Sequence, residues 1–176
     1  QELMGSQVAR QLSAKLGTRV EVGEIDLGFL NRIIIDDVKL YDQHGKEMLT
    51  AARLTAKIDI SALADKKIEI SSAQIFSANF RLYRQTMHHR HNFQFVIDSL
   101  SSKDNKEKTP LDLRINSLII RHSSITYDQY DKMKTPEKLN PSHLAVTDMN
   151  SHIILKKLTN DSINVNIKKL SFKEQS

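Results

Sequence analysis

The chain has 176 residues, 39% hydrophobic and 27% charged, a net charge of +5 and no cysteine. That length suits one domain or two small lobes sharing a core, and the balance is that of a soluble chain rather than a membrane or disordered one; the missing cysteine excludes disulfides, thiolate zinc sites and thiol catalysis. The longest apolar runs, such as Ile33-Ile34-Ile35, are far shorter than the roughly 20 residues of a bilayer-spanning helix, and the basic excess is too dispersed for a nucleic-acid site.

In chain order, residues 3–16 predict an amphipathic helix. Met4, Val8, Leu12 and Leu16 recur every four residues, Ala9 lies on the same side, and Gly17 follows where a C-capping glycine belongs. The period then changes to two, and one arrangement recurs: apolar, any, apolar, two polar or small residues, apolar, any, apolar. The copies are Val20, Val22 / Ile25, Leu27; Ile33, Ile35 / Val38, Leu40; Ile68, Ile70 / Ala73, Ile75; Leu113, Ile115 / Leu118, Ile120; and Val165, Ile167 / Leu170, Phe172. The inserted pairs are Gly23-Glu24, Asp36-Asp37, Ser71-Ser72, Asn116-Ser117 and Lys168-Lys169.

Side chains of a strand alternate between faces, so an uncompensated slip sends the apolar set to the wrong side. A β-bulge absorbs the extra residue, restores the apolar side and bends the strand. Tight hairpins at these pairs would leave arms of only three residues, and none of the pairs is Asn-Gly or Asp-Gly. Bulges within long, twisted strands are therefore expected.

Further strands are predicted at Leu54, Ala56, Ile58 and Ile60; at Ala78, Phe80 and Leu82; at Ile125 and Tyr127; at Leu144 and Val146; and at Ile153 and Leu155. Turns are expected at 42–45 and 160–161, a short helical turn at 61–64, and a helix at 92–100 with Asn92 as its N-cap and Phe93, Val96, Ile97 and Leu100 on one face. Polar residues 101–110 read as a linker or exposed loop between a first lobe (1–100, helix plus β) and a second β lobe (111–176) that continues the same sheet. A second polar loop spans 132–141. The expected fold is mainly β (α+β): a long, bulged, strongly twisted antiparallel sheet forming a curved groove or half-barrel, with two helices.

Motifs for chemistry are sparse. His88, His89 and His91 form a cluster, but Arg90 interrupts it and no carboxylate is near in sequence, so neither a metal nor any other cofactor is expected. Asp36 and Asp37 are adjacent in a strand, point to opposite faces and cannot converge on a substrate. No phosphate loop, nucleophile elbow or zinc-protease motif is present. Tyr127, Tyr130 and the Arg81, Tyr83, Arg84 group read as cross-strand packing. The chain is not expected to be an enzyme, and no catalytic residue is assigned.

Several segments together resemble the membrane-proximal N-terminal region of AsmA/TamB-like bacterial envelope proteins. The run LSAKLGTRVEVG from Leu12 to Gly23 is similar to their helix ending, glycine and first strand. Leu40-Tyr41-Asp42 before a glycine turn, Leu54 to Ile60, Ile68 to Ile75, Arg81 to Arg84 and Asn92 to Phe95 follow in the same order. The likeness covers residues 1–100 best, and the chain is shorter than that family's members. The resemblance implies a periplasmic location, an inner-membrane anchor N-terminal to Gln1, and a groove that handles phospholipid acyl chains or another apolar ligand.

The expected apolar face comprises Val22, Ile25, Ile35, Val38, Ile58, Ile70, Ile75, Phe80, Ile115 and Leu118; in a compact sandwich the same residues would be core. The competing expectation is a scaffold whose sheet edge pairs with a strand of an envelope or outer-membrane protein.

Overall fold

A computed structural model describes residues 2–59, 68–101, 111–158 and 163–174. The order is α1 (Glu2–Leu16), β1 (Val20–Glu21), β2 (Ile25–Gly28), β3 (Arg32–Tyr41), β4 (Glu47–Asp59), β5 (Ile68–Arg84), α2 (Gln94–Ser101), β6 (Leu111–Gln129), β7 (His143–Leu158) and β8 (Ile163–Glu174). The strands form one open, eight-stranded mixed sheet in the order β1-β3-β4-β5-β6-β7-β8, with β2 also pairing on β3. The turns expected at 61–64 and 160–161 lie outside the described residues.

Gly17 ends α1 with φ 68°, and the Ser13 carbonyl accepts from the N–H of both Gly17 and Thr18. That left-handed position is the reason for glycine there.

Every pairing is antiparallel except β5 with β6, which run parallel from Ile68↔Leu111 to Arg84↔Gln129. This corrects the all-antiparallel expectation. A parallel pair needs a crossover that returns the chain to the starting end, usually through a helix. Residues 85–110, which contain α2, make that connection, so one sheet runs through both expected lobes.

The strands are long. β5, β6 and β7 have 17, 19 and 16 residues, against a usual length of about 5–6. The short runs at Ala78 to Leu82, Ile125 to Tyr127, Leu144 to Val146 and Ile153 to Leu155 are parts of these three strands.

Four of the five inserted pairs lie within strands, Gly23-Glu24 joins β1 to β2, and none is at a hairpin tip. Ser71 is the extra residue between the pairs Ile70↔Ile58 and Ser72↔Lys57. Lys168 is the extra residue between Ile167↔Ile153 and Lys169↔His152. The β5–β6 register moves from Ile70↔Leu113 to Ser72↔Ser117, across Asn116. Gly23-Glu24 faces Asp36-Asp37: the Gly23 N–H donates to the Asp36 carbonyl, and the Asp36 N–H to the Glu24 carbonyl.

A second series of phase switches crosses the sheet. Asp37, Ser77, His122 and Asp148 have φ values of 53°, 50°, 48° and 48°. They fall in line. Asp37 and Ser77 lie on either side of Ala52, between the rows through Ala51 and Arg53. His122 lies between Arg121 and Ser124, the partners of Phe76 and Asn79. Asp148 lies between Val146 and Met149, the partners of Ile125 and Ser123. The line ends at Gly23, where a Cβ would sit 3.0 Å from the Asp36 carbonyl oxygen.

At this seam each strand skips a residue and keeps one face apolar. Ile35 and Val38, Ala51 and Leu54, and Ile75 and Ala78 thereby join a single cluster with Ile25, against which Val8 of α1 packs. A second cluster joins Leu16, Val20, Leu40, Met48 and Phe95, with Leu12 and Val96 against it. Each fully buried Leu or Ile contributes about 1.5–3 kcal/mol. Helix α1 touches both β1 and β6, and α2 touches β7.

Candidate functional site: the open end of the apolar face

Among the described residues, the apolar face is core beneath the helices and exposed at the β8 edge. Val165, Ile167, Leu170 and Phe172 are 40%, 51%, 48% and 52% exposed. Their register, Leu155↔Val165, Ile153↔Ile167 and Ser151↔Leu170, puts them on the side of buried Ser151 and half-buried Ile153 and Leu155. The bulge at Lys168 makes this row continuous. Without it, Leu170 and Phe172 would turn to the side of Asn164 and Asn166.

Nine of the ten residues expected to form the apolar face lie in strands of this sheet and Val22 lies between β1 and β2; half of the ten are sealed. Ile25, Ile35, Val38, Ile58 and Ile75 are buried. Val22, Phe80 and Leu118 are partly buried and pack against the first cluster, and Ile70 and Ile115 are half-buried. These residues build the core, and the exposed part of the face is the β8 row. The alternation locates β8; its exposure depends on how far α1 and α2 reach over the sheet, which the pattern does not encode.

The end of the sheet formed by the 42–46 turn and the 85–93 segment is polar and tightly wired. Asp42, 2% exposed, accepts from the N–H of His44 at 2.8 Å and of Lys46 at 2.9 Å through Oδ1, and from the Tyr83 hydroxyl at 2.7 Å through Oδ2. Burial alone would raise its pKa, but these hydrogen bonds outweigh it and hold the carboxyl below its ordinary value. Burial, followed by the bond to Asp42, pushes the Tyr83 hydroxyl upward.

Asn92 does not cap α2 as expected. Its Oδ1 accepts from the Tyr83 N–H, its Nδ2 donates to the Arg81 carbonyl, and its own N–H donates to the Tyr83 carbonyl. It thereby pairs with β5 beyond the end of β4.

The histidines are separately engaged. His89 Nδ1 lies 2.8 Å from the Thr86 hydroxyl. His91 stacks on Phe93, with ring centroids 4.9 Å apart, and its Nε2 lies 3.2 Å from the Tyr127 hydroxyl. Burial, then the charge of Arg84, lowers its pKa. Among the described residues no three His, Asp or Glu side chains converge to hold a metal ion.

His143, on β7, has Nδ1 2.7 Å from Asp128 Oδ1 and Nε2 2.7 Å from the Lys132 carbonyl oxygen. Both partners accept, so the ring must donate from both nitrogens, which defines the imidazolium. It ties the 131–142 loop to the sheet beside a cleft of about 350 Å³ lined by Thr126, Pro136, Leu144 and Glu174.

The fold and this face define an open, mixed β-sheet module with two helices over part of one side. No protein-family model matches the chain, and no curated protein is significantly similar to it.

Proposed function

We propose that this chain is a non-catalytic β module that binds acyl chains or a similar apolar ligand along the open end of its sheet, within the bacterial cell envelope as the AsmA/TamB resemblance implies. The observation that carries this reading is the row Val165, Ile167, Leu170 and Phe172, which continues a buried apolar face to an uncovered edge. Contiguous apolar surface of this kind marks a binding site, and burying it against hydrocarbon contributes about 25 cal/mol per Å². Contact of α1 with both β1 and β6 supports a sheet curved around the helix, with the trough continuing toward β8.

Pairing of a client strand along β8 is the competing reading. Lys168, Lys169 and Lys173 lie on that edge strand, Lys168 forms a bulge there, and both features blunt strand addition. The apolar-ligand reading therefore stands first. Native mass spectrometry and lipid extraction of protein purified from cells test it. Co-purified lipid that is lost in I167D/F172D is the expected result; no lipid on the parent protein contradicts it.

A further inference from the structure

At the opposite edge, the β2–β3 hairpin presents a second apolar feature. Phe29, Leu30 and Leu27 are 86%, 68% and 69% exposed. Phe29, Leu30 and Asn31 form the loop between paired Gly28 and Arg32. Leu30 and Asn31 take φ values of 58° and 60°, an expensive backbone conformation for a branched apolar residue.

The tip is braced. The Asn31 carbonyl accepts from the Ile58 N–H at 2.9 Å, and Gly28 lets the Ile34 side chain approach so closely that a Cβ there would lie 3.1 Å from it. Strain and bracing together hold the apolar side chains outward.

Directly behind the tip, Arg32 and Lys57 are cross-strand partners. Both are exposed, and neither is in an ion pair among the described residues. Like charges in that relation repel, so the pair favours an anionic partner. The neighbouring Asp36 is committed to Arg53 through bonds of 2.6 and 2.9 Å.

We propose that this tip is a membrane-surface contact, with Leu27, Phe29 and Leu30 entering the boundary between headgroups and acyl chains while Arg32 and Lys57 lie among anionic headgroups. Charge complementarity and size select this occupant. Three side chains on a narrow tip fall well short of the roughly 800 Å² per partner of a stable protein interface. A bilayer accepts a few apolar side chains backed by cations. The proposal is independent of the β8 face.

The chain has no tryptophan, so Phe29→Trp introduces a single indole as reporter. With vesicles of phosphatidylcholine containing a minority of phosphatidylglycerol, the indole emission of this variant shifts to the blue and is quenched by brominated acyl chains. F29S/L30S weakens vesicle binding roughly tenfold or more, and R32Q/K57Q weakens it roughly thirtyfold. The proposal is overturned if the indole emission ignores vesicles, if a folded F29S/L30S binds them as well as the parent does, or if the tip captures a protein but has no affinity for vesicles. Should F29S/L30S melt early, the indole emission of F29W decides.

Discussion

The Tyr83 hydroxyl donates a 2.7 Å hydrogen bond to Oδ2 of Asp42, which lies 41 residues earlier in the chain. It joins the far end of β5 to the turn between β3 and β4, and the same carboxylate closes that turn through two backbone N–H groups. One buried anion thus fixes the turn that aligns β3 on β4 and anchors the strand that carries the sheet toward β6.

Removing the hydroxyl leaves a buried carboxylate short of a partner. Tyr83→Phe should cost about 1–3 kcal/mol, read as a lower urea midpoint with an unchanged slope. Asp42 also sets an acid limit. Its pKa is depressed in the folded state, so its stabilisation is present above its ordinary value of 3.8 and is lost as pH falls through the lower, folded value. Asp42→Asn should flatten that acid dependence.

His143 gives the opposite slope. The hydrogen bond to Asp128, then the one to the Lys132 carbonyl, raises its pKa above 6.5. Its contribution is complete below 6.5 and is lost as pH rises through the raised value. Titration followed by NMR should show His143 protonating above ordinary histidines. Amide exchange in residues 131–134 should speed up over the same pH range, and His143→Gln should abolish that change.

The seam predicts a pattern among small residues. Ser123 Oγ accepts from the Ala78 N–H at 3.1 Å and donates to the Arg121 carbonyl at 2.9 Å, satisfying backbone groups next to the left-handed residues Ser77 and His122. Ser123→Ala should cost about 1–3 kcal/mol by leaving a buried donor unpaired. At Ser77 itself, with φ 50°, Ile should destabilise by about 1–2 kcal/mol relative to Gly. Thermal unfolding of S123A, S77I and S77G beside the parent checks both statements.

Much of this architecture can be read from the sequence, and the exceptions have physical reasons. The pairs at Asp36-Asp37, Ser71-Ser72 and Lys168-Lys169 stand out because large apolar residues flank them. The switches at Ala52-Arg53, Phe76-Ser77 and Arg121-His122 escape the same reading because inward positions beside them are Ala51, Ala78 and Ser123. Small or polar residues leave no hydrophobic period. The parallel β5–β6 pair is equally silent, since alternation records which face a residue occupies but not which way its neighbour runs. Asn92 misleads because a short amide can cap a helix or pair with a strand, and Tyr83 decides between the two. The open site is hidden because Ile167 and Ile75 look alike until the helices are placed.

Burial separates residues of the same type in the same sheet. Ile25, 2% exposed, should cost about 2–5 kcal/mol on truncation to Ala. Ile167→Ala should leave the melting temperature nearly unchanged, because half of that side chain is already in solvent.

The most direct test places a photoreactive side chain at Ile167 or Phe172 on the apolar side of β8, and at Asn166 or Ser171 on its other side, and irradiates cells. Acyl-chain adducts at 167 and 172, with none at 166 and 171, are the predicted result. Equal labelling of both sides, or adducts with protein alone, would contradict an apolar ligand lying along this face.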